Sequence, residues 1–159
     1  MEEKVRNIIE QRLGELVGQN MTRLFRWEVM TCYVFENDKG EATEIHTYSR
    51  CVISKDNVDI IDSNNVTVPA KGVEPEKDDD YGIGDCVFDR QYWAMKDLFP
   101  LTVISAEVKD DGTIRMRLSD GCHFTIIPWP DVDGEAWRIF RPKDNTSHLV
   151  YYGNGTIDG

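Results

Sequence analysis

Over residues 101–128 apolar and polar side chains alternate, and Asp111-Gly112 and Asp120-Gly121 interrupt the alternation. Ile114, Met116 and Leu118 fall on one side of the middle segment, Thr113, Arg115, Arg117 and Ser119 on the other. A period of two is the mark of a half-buried strand. Asp-Gly suits tight hairpins because both central residues tolerate positive φ, which matches the twist of the flanking strands. The pattern predicts a meander of strands over 101–109, 113–119 and 122–128. At the other end, Val5, Ile8, Ile9, Leu13, Leu16 and Val17 recur at the spacing of one helix face, which predicts a helix over 2–17. Glu2 and Glu3 complement the dipole at its start, and Gly18 is its stop.

Strands are expected near 22–27, 30–36, 43–54 and 57–62, with turns at 37–40 and 55–57. A second helix is expected over 86–98, with Asp85 as N-cap, Phe88, Tyr92 and Met95 as its apolar stripe and Pro100 beyond its end. Further strands follow near 135–141 and 147–152. Between the two sets of elements, residues 69–84 combine Pro, Gly and carboxylates with almost no apolar side chain. Such a segment has little to bury, so it reads as a solvated acidic linker and the most mobile part of the chain.

The expected fold is α+β, with antiparallel β-meanders packed by two helices, because strand–helix alternation of the parallel kind is missing. The order of helix, strands, linker, helix, strands allows a single domain over 1–159 or two topologically similar halves, 1–68 and 85–159. Duplication and chance recurrence of a common pattern both remain open.

A net charge of −11 argues against nucleic acid and anionic membrane as partners, since both need a basic stripe. It favours a cationic protein partner. No apolar run approaches the roughly 18 residues of a membrane span, and no secretory signal opens the chain. Cys32, Cys51, Cys86 and Cys122 make no C-x-x-C pair, so reduced thiols in a cytoplasmic protein are expected.

Candidate chemistry is sparse. Glu76, Asp78 and Asp80 start an EF-hand register that fails at Tyr81, where Gly is needed, and at Val87, where Glu is needed. A looser cation site would gather Asp78, Asp79, Asp80 and Asp85. Cys122 and His123 are neighbours in a strand and face opposite ways. Cys51 or Cys122 could meet a distant histidine as a nucleophile. No phosphate-binding glycine loop occurs. Trp27, Trp93, Trp129 and Trp137 are many for this length. Trp93, off the main stripe of the second helix, and Trp129, in a Pro-Trp-Pro element, are candidate partner-binding anchors, extended by Tyr151 and Tyr152.

Two segments carry a resemblance. Leu16-Val17-Gly18-Gln19-Asn20-Met21-Thr22, with Arg26, Met30, Tyr33 and Phe35, is one. Leu101-Thr102-Val103 through Asp120-Gly121 to Glu135-Ala136-Trp137-Arg138-Ile139-Phe140-Arg141-Pro142, then His148-Leu149-Val150, is the other. Together they resemble a family of small acidic bacterial proteins without assigned activity, so the resemblance implies no catalytic residue. In composition the chain is also similar to immunity proteins that neutralise secreted toxins. The expected function is non-enzymatic partner binding, immunity-like, with no cofactor and no metal. The alternative is a hydrolase that uses metal-bound linker carboxylates or a Cys nucleophile.

Overall fold

The computed structural model describes residues 1–74, 82, 84–130 and 133–159. Helix α1 spans Glu3–Gly14 and helix α2 spans Val87–Met95. Eleven strands form one antiparallel sheet: β1 Asn20–Trp27, β2 Met30–Glu36, β3 Ala42–Thr47, β4 Arg50–Lys55, β5 Val58–Asp62, β6 Leu101–Val108, β7 Ile114–Leu118, β8 Cys122–Ile127, β9 Glu135–Arg141, β10 Asp144–Tyr152 and β11 Ile157–Asp158. No described helix is long and apolar enough to cross a membrane.

The spatial order is β11-β10-β9-β3-β2-β1-β6-β7-β8-β4-β5. Leaving β11 aside, exchanging β1–β5 for β6–β10 turns this order into its own reverse. The halves therefore share one topology about a pseudo-two-fold axis, and each lends its fourth and fifth strands to the meander of the other. Register obeys the same relation. Cys51 pairs with Ile126 as Trp137 pairs with Thr47, and Ile53 with Phe124 as Ile139 with Ile45. Met21 faces Phe35 just before a bulge in β1, as Val103 faces Leu118 just before a bulge in β6. At the axis Asn20 pairs with Thr102, and the Thr102 hydroxyl donates to Asn20 Oδ1 over 2.8 Å.

The sheet folds over on itself, so that Phe124 of β8 meets Tyr33 and Phe35 of β2, with ring centroids 4.5 and 6.5 Å apart. These rings are fully buried with Ile45, Ile53 and Trp137. Each such burial is worth about 1.5–3 kcal/mol. Because the strands interleave, the apolar face of each half is covered by strands of the other.

Several expectations differ from the structure. The helix expected over 2–17 ends at Gly14. A turn follows in which Gly18, at φ +87°, aims its N–H at Val103 O (2.9 Å), and Leu16 still reaches the core. The strand expected over 43–54 bends at Tyr48-Ser49 and changes half-sheets there. The Thr47 and Ser49 hydroxyls both donate to Ala136 O, at 2.8 and 2.9 Å, and hold the corner. The N-cap of α2 is Cys86, with no side-chain cap, in place of Asp85. Finally, the two ends of the acidic linker are tied down. Ala70 is buried, Pro69 bridges to Cys86, and Arg26 Nη2 donates to Gly82 O over 2.8 Å.

That last contact belongs to a buried ion pair. Arg26 Nε donates to both carboxylate oxygens of Asp89 at 3.1 Å, and the two side chains are only 6% and 10% exposed. The Gly84 N–H adds a bond of 2.7 Å to Asp89 Oδ2. A buried pair holds only when its remaining donors and acceptors are satisfied, and the linker end supplies those partners. The expectations placed on Glu76, Asp78, Asp79 and Asp80 lie outside the described residues.

Candidate functional site

Asp120-Gly121 adopts the expected tight turn, with both φ positive (56° and 72°). Asp111-Gly112 does not. Lys109 N donates to Thr113 O (2.9 Å) and Gly112 N to Lys109 O (3.0 Å), which makes a longer loop closed by Gly112 alone in the left-handed region, at φ +80°. Asp111 Oδ1 accepts from the Thr113 N–H over 2.9 Å. That bond is the main reason its carboxyl is held below the usual range.

This loop is one wall of an open bowl of about 730 Å³. Glu2 and Val5 of the start of α1 form a second wall, and Thr156 and Ile157 at β11 a third. Asp110 and Asp111 line the loop side, and Tyr151 of β10 lines the floor. Tyr151 is only 2% exposed and stacks on Trp137 with centroids 5.0 Å apart and planes 11° from parallel. Its hydroxyl makes no bond among the described residues, and although the ring is buried the oxygen itself is open to the bowl. Burial, and then the Asp111 charge, push its pKa up, so the phenol stays protonated.

Arg6 of α1 pairs with Asp110 and donates to Val108 O. Glu2 and Asp111 have no ion-pair partner among the described residues; the Lys109 charge is the smallest of the causes that lower the Asp111 pKa. The bowl thus offers two unpaired carboxylates, one unpartnered hydroxyl and apolar walls at Val5, Pro130 and Ile157. That set can hold a cationic head group and the aliphatic stem behind it.

Comparison of the chain with protein-family models, with curated proteins and with solved structures finds no match.

The four anchors expected from sequence separate. Tyr151 lines the bowl from beneath, as floor and not as an exposed anchor. Trp129, 57% exposed, stands next to Pro130 on its wall. Trp93, 46% exposed, is on α2, where its ring lies against Gly84 and under the Arg90 guanidinium, 5.4 Å away. Tyr152 faces the other side of the sheet from Tyr151, beside Arg138, which donates to Glu135 over 2.6 Å. Adjacent strand residues face opposite ways, so Tyr151 and Tyr152 cannot share a surface. Trp27, the last residue of β1, is 71% exposed, and Val29 in the turn after it is exposed as well.

One constellation resembles catalytic machinery. Cys32 pairs across the strands with His46, and His46 Nε2 lies 2.7 Å from Glu44 Oε2. The Cys32 thiol is buried, however, and burial, with the Glu44 charge second, raises its pKa to about 12. A nucleophilic cysteine needs the opposite shift. Cys51 is raised to about 12 as well, chiefly by burial, and burial raises Cys86 and Cys122. Cys122 points into the core, whereas His123 points to solvent. Among the described residues no group of His, Cys, Asp and Glu stands in a position to hold a metal ion.

Proposed function

We propose that this protein is a non-enzymatic binding protein that receives a cationic group of a protein partner in the bowl floored by Tyr151. The observation that carries this reading is the Tyr151 hydroxyl, which has no partner among the described residues and opens from a buried ring into a bowl with the unpaired carboxylates of Glu2 and Asp111. The net charge of −11 steers a basic partner toward the molecule, and neutralisation of a basic toxin, as by immunity proteins, is one form of such binding. The raised thiol pKa values weigh against the cysteine hydrolase alternative.

The test is an NMR titration of isotope-labelled protein with N-acetylarginine amide at low and high ionic strength. Shifts confined to residues 2–6, 109–113 and 150–157, weakened by salt and abolished in Asp111→Asn, are the expected result. Equal shifts in the wild type and in Asp111→Asn, or shifts centred elsewhere, refute the reading.

A further inference from the structure

The two halves differ at one equivalent place, and the difference points to what the bowl takes. Each helix reaches the end of the first strand that belongs to the opposite half: Asp89 of α2 meets Arg26 of β1, and Arg6 of α1 meets Val108 of β6. Arg26 and Val108 are equivalent by register, since they face Thr31 and Ile114, which in turn face Thr47 and Ile126.

Beside Arg26, the chain entering α2 runs antiparallel to the chain leaving the β5 side. Ala70 N donates to Asp85 O and Val87 N to Val68 O, both over 2.8 Å, and Pro69 bridges to Cys86. An extended segment of the protein itself therefore fills that corner. Beside Val108 the corresponding chain after β10 turns at Gly155 (φ +90°) and folds back as β11. Ile157 then pairs inward with Tyr151. β11 is the last strand of the sheet. The bowl lies between it and the start of α1, where the other half holds its paired segment.

We infer that the bowl receives an extended peptide segment of a basic partner, paired through its main chain beside β11, with one arginine or lysine side chain lowered toward Tyr151, Asp111 and Glu2. This rests on the cation-binding reading above and adds the backbone as a second recognition element. Addition of a strand at a free sheet edge is a recurrent way to bind a peptide, main-chain bonds giving affinity and side-chain pockets specificity. Small apolar residues on either side of the cation fit Val5, Pro130 and Ile157.

The experiment compares three probes by calorimetry and by NMR mapping: acetylated Gly-Val-Arg-Val-Gly amide, the same peptide with both valine nitrogens methylated, and N-acetylarginine amide. Methylation removes backbone donors and leaves the arginine untouched. The plain pentapeptide should bind at the bowl, and the methylated one about tenfold more weakly, the effect of one or two lost hydrogen bonds. Equal binding of the two pentapeptides overturns the main-chain inference and leaves the cation reading standing. So does a bowl that accepts N-acetylarginine amide and neither pentapeptide. Failure of all three probes overturns both.

Discussion

Replacing Gly112 by alanine should destabilise the protein by about 2–5 kcal/mol, from two separable causes. The first is the backbone. At φ +80° an L-residue occupies the left-handed region, at a cost of roughly 1–2 kcal/mol. The second is contact. A Cβ at position 112 would lie 2.3 Å from the Tyr151 hydroxyl and 2.4 Å from two ring carbons. Tyr151 has little room to withdraw, because its ring already stacks on the buried Trp137. Overpacking of this kind costs about 1–3 kcal/mol. For a chain of this size each kcal/mol lowers Tm by about 2–4 °C, so a drop of roughly 4–20 °C is expected. Gly155→Ala is the control: φ is +90° there, but no atom lies within 4 Å of the added Cβ. It should show only the backbone part, about 1–2 kcal/mol. Urea unfolding followed by circular dichroism measures both variants. Equal losses in the two would show that Tyr151 does not press on Gly112, and the floor of the bowl would have to be redrawn.

Arg26→Met should cost about 3–5 kcal/mol, because it leaves the Asp89 carboxylate buried without its partner. The double variant Arg26→Met with Asp89→Leu should regain much of that loss, and a double variant no more stable than the single would refute the pairing. The four thiols should react slowly with a disulfide reagent in the native protein and fully after denaturation; rapid native labelling of Cys32 or Cys51 would contradict their burial. Both thiols have folded pKa values of about 12 against a usual 9.0. Their contribution to stability should be complete below pH 9.0 and lost as pH rises toward about 12, which alkaline unfolding curves of Cys→Ala variants can check. The Asp111 carboxyl is lowered, so its contribution holds above the usual 3.8 and fades as pH falls through the folded value. The stability gap between wild type and Asp111→Asn should narrow in acid, and a constant gap would speak against the Thr113 bond as its source.

Strands and turns were legible in the sequence because a period of two and Asp-Gly punctuation are local signals. β2, β7 and β8 lie almost where alternation places them. The order of strands was not legible. Nothing local tells β3 to pair with β9 while β4 crosses to β8, and the corner at Tyr48-Ser49 depends on the distant Ala136 carbonyl. Strand β11, two residues long, is too short for any periodic signal. The bowl has no local signal for a similar reason: Glu2, Asp111, Tyr151 and Ile157 converge from both ends and the middle of the chain. By composition the linker has little to bury, yet Ala70, Gly82 and Gly84 serve as partners for packing and for a buried ion pair that composition cannot reveal. For Tyr151 and Tyr152 alternation alone already sets the two neighbours on opposite faces.

Whether a cationic side chain settles on the Tyr151 floor is tested most directly by intermolecular nuclear Overhauser effects in the complex with acetylated Gly-Val-Arg-Val-Gly amide. Contacts from the arginine methylenes to the Tyr151 ring and to the methyl groups of Val5 and Ile157 are predicted. Contacts from those methylenes to Trp93 or Trp27 in place of Tyr151 would contradict the bowl as the docking site.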